Sequence, residues 1–160
     1  MNQRHTNAPL SQEMSRLNVK WVIVGSMSLV LQGVSIRPKG IDILTTKRGA
    51  YASNKQLKLC ETRPVRFGKL RKFQFYLGEF KVGGVKVQVM GELKVRVGGK
   101  WISRASRLKN PQIVWLRGRR LLVTPLRIQL ESYKALSRRK SVPKIRKTEI
   151  FLTTPRPFAS

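Results

Sequence analysis

Acidic residues are scarce in this sequence. Seven aspartates and glutamates stand against 34 lysines and arginines in 160 residues, which gives a formal net charge of +27 at pH 7. Charge of one sign destabilises a compact state by self-repulsion and attracts polyanions with little selectivity. Because nucleic acid is the densest polyanion in a cell, the imbalance favours a nucleic-acid partner over a membrane surface or an engineered coat.

Cysteine and histidine are almost absent. Cys60 is the single cysteine and His5 the single histidine. One cysteine excludes an intramolecular disulfide and indicates a reducing compartment, and the two residues together cannot build a Cys/His zinc site. We therefore predict no bound metal and no cofactor.

Long hydrophobic runs are missing as well. The most apolar stretch, residues 19–34, is interrupted by Lys20, Ser26, Ser28 and Gln32, so it lacks the 18 or more apolar residues that a membrane span requires. The first ten residues do not resemble a signal peptide. We expect a cytoplasmic protein without a membrane partner.

The hydrophobic content of 41% predicts a folded core in spite of the charge. The length suits one domain. We predict an N-terminal arm with a short helix at 1–18, a core domain at 19–137 and a basic extension at 138–160.

Local patterns predict an alternation of helices and strands. Gly83-Gly84 predicts a hairpin turn, and Gly91 predicts a bulge within the alternating segment that follows it. The expected order is a helix at 11–17, a strand at 19–24, a helix ending near Gly33, a strand at 40–45, a helix at 48–59, a basic loop at 64–72, strands at 73–82, 85–97, 112–116 and 120–123, a helix after Pro125, and an extended tail at 153–160. This order predicts an α/β (α+β) fold with a mixed sheet flanked by helices.

Two stretches of this order resemble a known signature. VIVGSMSLVLQGVSIRPKGIDILT carries Gly25-Ser26 between a strand and a helix and then Asp42 on the next strand, and GVKVQVMGEL follows at 84–93. Both are similar to the nucleotidyltransferase fold of the polymerase-β type, most closely its small stand-alone archaeal members, over about residues 19–136.

The resemblance implies a particular metal chemistry. In that family two acids at i and i+2 share one face of a strand. With a third acid from a neighbouring strand they hold two magnesium ions about 3.5–4 Å apart. Gly-Ser at a helix start then binds the phosphates through backbone N–H groups.

The sequence departs from that pattern at two of the three acids. The first falls on Gly40 and the third on Gln88, so Asp42, the only aspartate in the chain, remains. Glu92 lies about 13 Å along the strand from Gln88, too far to replace it. We therefore expect a chain that is not an enzyme, with Asp42 in a capping role and no catalytic residue, although its relict positions survive: Gly25, Ser26, Gly40, Asp42 and Gln88.

The basic residues form clusters that we predict to bind RNA through phosphates. Arginine pairs with phosphate through two parallel hydrogen bonds, and lysine acts as a point charge. Trp101 and Trp115 are candidates for base stacking, with core or hairpin packing favoured over it. The predicted RNA-binding residues are Arg63, Arg66, Lys69, Arg71, Lys72, Lys94, Arg96, Lys100, Arg104, Arg107, Lys109, Arg117, Arg119, Arg120, Arg138, Arg139, Lys140, Lys144, Arg146 and Lys147.

The sequence alone thus favours a non-catalytic, nucleotidyltransferase-like RNA-binding protein. Because a small folded core with a basic coat is typical of ribosomal proteins, we predict rRNA and neighbouring ribosomal proteins as partners, a ribosome-associated location and no small-molecule substrate. One alternative is an active nucleotidyltransferase that acts on tRNA or another RNA. Another is a DNA-compacting protein.

Overall fold

The structure, a computed structural model, describes residues 9–136 and 139–155. Within them, five α-helices and eight β-strands make up the fold. The helices are α1 (Leu10–Ser15), α2 (Gly25–Leu31), α3 (Lys47–Gln56), α4 (Leu126–Leu136) and α5 (Val142–Thr153), and the strands are β1 (Trp21–Val24), β2 (Ile41–Thr45), β3 (Glu61–Lys69), β4 (Phe73–Val82), β5 (Val85–Val97), β6 (Lys100–Ser103), β7 (Gln112–Leu116) and β8 (Arg119–Val123).

All the strands belong to one mixed sheet, which confirms the predicted fold class. The strand order is β3-β4-β5-β2-β1-β8-β7, with β6 paired to the far part of β5. The pairs β2–β5 and β1–β8 are parallel, and the other pairs are antiparallel. The centre of the sheet is thus formed by the two strands that carry the family signature, β2 and β5.

One face of the sheet is apolar because the central strands alternate. Ile43 of β2 and Val87 and Val89 of β5 are buried on that face, together with Phe80 of β4. Met14 of α1 and residues of α3 pack against them and complete the main core. The opposite face therefore receives the alternate residues, which include Asp42 and Gln88.

A second, smaller core joins three helices. Leu29 of α2 and Tyr133 of α4 are buried in it, and Ile145 and Phe151 of α5 pack against them. The segment that follows residue 141 is therefore a helix docked on the domain, although the sequence predicts a basic extension from 138 and an extended tail from 153. Thr153 is the last helical residue, and 156–160 lie outside the described residues.

The predicted basic loop at 64–72 is wrong. Residues 61–69 form β3, an edge strand that pairs with β4 and is irregular around Pro64. An edge strand tolerates both proline and exposed basic side chains, because one side of its backbone needs no partner strand. The bulge predicted at Gly91 is confirmed by the register shift between β4 and β5 at this point, where Glu92 adopts a φ of 52°.

No helix in the described ranges is both long enough and apolar enough to cross a lipid bilayer.

Candidate functional site

The parallel pairing of β2 with β5 positions the signature residues. Asp42 lies directly beside Gln88 in this register. Gly40 precedes Asp42 by two residues, so it lies on the same side of the chain. A side chain at Gly40 has no room, because a Cβ atom there would lie 2.6 Å from the carbonyl oxygen of Lys86. The strands therefore place the carboxylate residue Asp42 beside the amide residue Gln88. The backbone carbonyl of Lys86 fills the space that a side chain at position 40 would need.

Gly25 connects β1 to α2 directly against the Asp42 side chain. Its φ is +70°, and a Cβ atom at this position would lie 3.1 Å from Oδ2 of Asp42. Its N–H donates to Oε1 of Gln129 at 2.9 Å, so this backbone donor is already engaged. Ser26, the next residue, lines the cleft in front of Asp42.

Glu79 is an acidic neighbour of the site that the sequence analysis missed. It lies on β4 directly opposite Gln88. Oε1 of Glu79 accepts a hydrogen bond of 3.0 Å from Nε2 of Gln88, so the amide is anchored on the side away from Asp42. Glu92, in contrast, borders a different pocket together with Lys47, at the bulged part of β5.

A cleft of about 600 Å³ opens in front of these residues and is strongly cationic. Five basic side chains and a single carboxylate contribute to its wall. The positive charges come from the loop before β2, from β5 and from the segment that begins α5. The lining residues are Ser26, Arg37, Lys39, Gly40, Asp42, Lys86, Gln88, Lys140 and Lys144.

Asp42 is a titratable group with a perturbed pKa. Burial raises the pKa of Asp42 above its ordinary value, although the charges of Lys144 and Lys86 act in the opposite direction. The loss of water around the carboxylate therefore outweighs two nearby ammonium groups. A carboxylate with a raised pKa is a stronger base than an exposed one.

The residues present do not fit the two-magnesium centre that the nucleotidyltransferase fold implies. Magnesium prefers carboxylates, phosphate oxygens and water. Asp42 is the single carboxylate in the cleft wall, and the neighbouring positions offer a glycine, an amide and lysines. Residues 9–136 and 139–155 contain no group of three or more acidic, cysteine or histidine side chains that could hold a metal ion.

The residues predicted to bind RNA belong to several elements of the fold. Lys140 and Lys144 line the cleft, whereas Arg37, Lys39 and Lys86, which complete its positive wall, were not among the predicted residues. Arg138 lies outside the described residues. The others are distributed over β3 and the turn after it (Arg63, Arg66, Lys69, Arg71, Lys72), β5 and β6 (Lys94, Arg96, Lys100), the short helical segment 105–108 and its flanks (Arg104, Arg107, Lys109), the β7–β8 hairpin (Arg117, Arg119, Arg120), and the start and outer face of α5 (Arg139, Arg146, Lys147).

Two of these arginines belong to the interior. Arg104 and Arg107 are half-buried beside α4 and line a mainly apolar cavity. Burial, and then the neighbouring charge of Arg107, lowers the pKa of Arg104. Trp101 makes a hairpin contact with Arg96, whose Cζ lies 5.8 Å from the centre of its ring, and Nζ of Lys69 on β3 lies 5.7 Å from the same centre. Trp115 is 67% exposed.

Comparisons with known proteins show which family and which solved structures the chain resembles. A family model described as aminoglycoside-2″-adenylyltransferase matches residues 9–142. A candidate nucleotidyltransferase from Thermotoga maritima is 30% identical, with 86% of each chain covered and a TM-score of 0.75. No curated protein sequence matches the chain significantly.

Two antibiotic-modifying enzymes share the fold at low identity. ANT(2″)-Ia, solved with adenylyl-2″-tobramycin, is 11% identical over 88% of this chain and 84% of its own, with a TM-score of 0.55. The lincosamide antibiotic adenylyltransferase LnuA, solved with lincomycin, is 12% identical over 86% of this chain and 90% of its own, with a TM-score of 0.57. At these identities the likeness concerns the fold.

These findings overturn the function predicted from composition. The predictions of a non-enzyme, of a ribosomal rRNA-binding role, of ribosomal partners and of no small-molecule substrate are wrong, because the chain matches a family of adenylyltransferases over most of its length. The physical reason lies in the placement of the charge. Five basic side chains line one cleft, and this cleft has room for a small anionic ligand. The net charge of the chain does not show that basic residues meet at such a cleft.

Proposed function

The chain belongs to the aminoglycoside-2″-adenylyltransferase family, and we propose on this premise that it transfers a nucleotidyl group from a nucleoside triphosphate to a hydroxyl group. One observation carries the proposal: five cationic side chains converge on a cleft that holds one partly desolvated carboxylate. Such a site combines the charge needed to hold a triphosphate with a single group able to accept a proton.

The proposed reaction is an in-line displacement at the α-phosphorus. The acceptor oxygen forms a bond to this phosphorus while the bond to the oxygen that bridges to the β-phosphate breaks, and pyrophosphate leaves. Asp42 accepts the proton that the acceptor hydroxyl loses. Its raised pKa supports this role, because a base that is less well solvated takes up a proton more readily.

The basic side chains of the cleft hold the polyphosphate and stabilise the charge that moves to pyrophosphate. Arg37 can bind two phosphate oxygens at once, and the lysines Lys39, Lys86, Lys140 and Lys144 act as point charges. Fixed positive groups in a partly enclosed site are effective in phosphoryl transfer, because the chemistry consists largely of positioning and charge stabilisation.

We also propose that the chain has lost two of the three metal-binding acids of its fold. Gly40 and Gln88 occupy their positions, and the contact with the Lys86 carbonyl leaves no room for an acid at position 40. Asp42 is then the carboxylate on which turnover depends.

The charge of the molecule restricts the acceptor. An aminoglycoside such as tobramycin carries several amines and is repelled by a chain with a net charge of +27. We therefore propose a neutral or anionic small molecule as the acceptor. The same charge favours a second candidate, the hydroxyl group of an RNA, which a cationic surface attracts.

The test is transfer of label from α-phosphate-labelled ATP. The purified chain is incubated with tobramycin, with lincomycin, with neutral polyols and with RNA, in the presence and absence of magnesium. We expect labelled product with a neutral or anionic acceptor, and a rate at least about 100-fold lower for Asp42→Asn. Glu131→Gln, which removes an exposed carboxylate of α4, is the matched control and should keep the wild-type rate. A chain that neither binds ATP nor releases pyrophosphate under any condition contradicts the proposal.

A further inference from the structure

The cleft carries positive charge at the place where the fold family carries metal. Lys86 lies beside Gly40, since a Cβ atom at position 40 would be 3.5 Å from the Cβ atom of Lys86, and Lys86 also lines the cleft. Gln88, at the position of the third acid, is held by Glu79 and presents a neutral amide. A glycine and an amide thus occupy two positions that carry anionic metal ligands in the fold family, and a lysine lies beside the first of them.

A second lysine, Lys144, lines the same cleft as Asp42. Lys144 belongs to α5, which docks on α2 and α4 through Ile145 and Phe151. Lys86, Lys144 and Asp42 all line this cleft, and both positive charges favour the ionised form of the Asp42 carboxylate. Two cations from distant parts of the sequence therefore face one carboxylate.

The charge of the cleft determines whether it favours a free triphosphate or the magnesium complex of a triphosphate. Magnesium bound to a triphosphate neutralises part of its charge, and it needs protein carboxylates to hold it in place. A wall of five cations with a single carboxylate attracts the free triphosphate more strongly than its magnesium complex, and it repels a divalent cation. The cleft is thus complementary to a polyphosphate that brings no metal.

We propose that Lys86 and Lys144 neutralise the triphosphate in place of magnesium, so that this chain binds nucleoside triphosphates in their metal-free form. The inference rests on the proposed function, since it concerns how the same cleft holds the same ligand. Arg37, Lys39 and Lys140 add to the attraction from the rim, and Asp42 remains available as a base because it does not coordinate metal.

The experiment is calorimetric titration of the full chain with ATP at constant ionic strength, once with EDTA and once with excess magnesium. We expect binding with EDTA and an affinity several-fold lower with magnesium. Lys86→Ala and Lys144→Ala should each weaken binding about tenfold, as expected for loss of a hydrogen-bonded charge. Lys55→Ala and Lys20→Ala remove one exposed lysine away from the cleft and should change the affinity less than about twofold.

The possible outcomes separate the inference from the function on which it rests. Binding that requires magnesium overturns the inference and leaves the proposed transfer activity standing. Absence of ATP binding in both buffers overturns both. If the control variants weaken binding as much as Lys86→Ala and Lys144→Ala do, general surface charge explains the binding and the inference fails. Thermal unfolding of each variant verifies that it is folded.

Discussion

Desolvation of Asp42 is expected to reduce the stability of the fold while it makes the carboxylate a better base. Its carboxylate is half-buried beside Gly25 and β5, and the two nearby lysines do not fully offset the loss of solvation. An active site often keeps a group in an environment that is unfavourable for folding but useful for the reaction, and the fold is less stable as a result. Replacing Asp42 is therefore expected to change the free energy of unfolding even when no substrate is present.

The first prediction concerns Asp42→Asn. A folded-state pKa raised above the unfolded value, which is near 3.8, means that Asp42 supports folding at low pH and that this support is lost as the pH rises through the folded pKa. The neutral asparagine avoids that loss. Urea unfolding should therefore show the variant to be more stable than the wild type at pH 7, and the difference should disappear below pH 3.8. A variant that is less stable at pH 7 contradicts the prediction, and Glu131→Gln should show no gain.

The second prediction separates backbone strain from contact with the carboxylate. Gly25 and Gly84 have φ values of +70° and +80°, but a Cβ atom would press on Asp42 only at Gly25, since nothing lies within 4 Å of one at Gly84. Alanine at either position should cost about 1–2 kcal/mol of unfolding free energy, because the left-handed conformation is unfavourable for residues with a Cβ atom. Gly25→Ala should also abolish label transfer from ATP, whereas Gly84→Ala should retain it. Equal activities would show that the close approach to Asp42 has no role.

Part of the residue-level geometry follows from the sequence. The resemblance places Asp42 beside Gln88, and the structure has this register. Glu79 could also have been found: a two-residue turn at Gly83-Gly84 pairs Val82 with Val85, and counting outward pairs Glu79 with Gln88. The same parallel register, counted two residues back, pairs Gly40 with Lys86. Arg37 and Lys39 could not be selected in this way, because they lie in a loop and have no distinguishing local signal among 34 basic residues.

At the scale of elements, α5 connects stability to the cleft. Ile145, Thr148 and Phe151 recur every third residue on one face of the helix, and Thr148 is buried in the described structure. The abundance of basic residues in this segment hides that periodicity and favours a solvated extension. The docked helix instead carries Lys144 into the wall of the cleft. Strong alternation made β4 and β5 predictable, whereas β3 and α5 depend on neighbours that are distant in sequence.

The third prediction tests the coupling between α5 and the site. The Phe151 ring lies against Gly33, about 3 Å from where a Cβ atom there would be, and it packs on the second core. Phe151→Ala should lower the unfolding free energy by about 2 kcal/mol, since a large apolar contact is lost. It should also weaken ATP binding, because the helix that carries Lys144 is less firmly held. Ile150→Ala, at an exposed position of the same helix, should change stability by less than about 0.5 kcal/mol and leave ATP affinity intact. If Phe151→Ala is destabilised but binds ATP as tightly as the wild type, the docking of α5 does not affect the cleft.

For the whole molecule, net charge identifies an anionic ligand but not its kind. A coat of +27 is equally compatible with an RNA scaffold protein and with an enzyme that binds polyphosphates. The difference lies in whether the charges converge. Here the β2–β5 pairing and the docking of α5 bring cations to one cleft, while Arg63 of β3 and Arg119 of β8 are not part of its wall. Convergence depends on tertiary structure, which explains why composition favoured the ribosome.

The fourth prediction follows from the same excess of charge. The ion pairs of residues 9–136 and 139–155 include Arg16–Glu13, Lys58–Glu61 and Lys134–Glu149. Because the sequence has 34 basic residues and seven acidic ones, most basic side chains cannot each have an acidic partner of their own. Repulsion among exposed charges is screened over about 10 Å at 0.1 M salt and over shorter distances at higher salt. The midpoint of thermal unfolding should therefore rise by about 3 °C or more between 20 mM and 500 mM NaCl, which corresponds to about 1 kcal/mol for a chain of this size.

A charge-reduced variant is the matched control for this salt effect. Arg63→Gln and Arg66→Gln together remove two positive charges from the exposed edge strand β3 while largely preserving side-chain length. Self-repulsion falls with the charge that remains, so the variant should be more stable than the wild type at 20 mM NaCl and should gain less from added salt. If the wild-type midpoint stays constant or falls as salt increases, unpaired charge does not limit the stability of the free protein, and the basic coat must be stabilised by contacts within the chain.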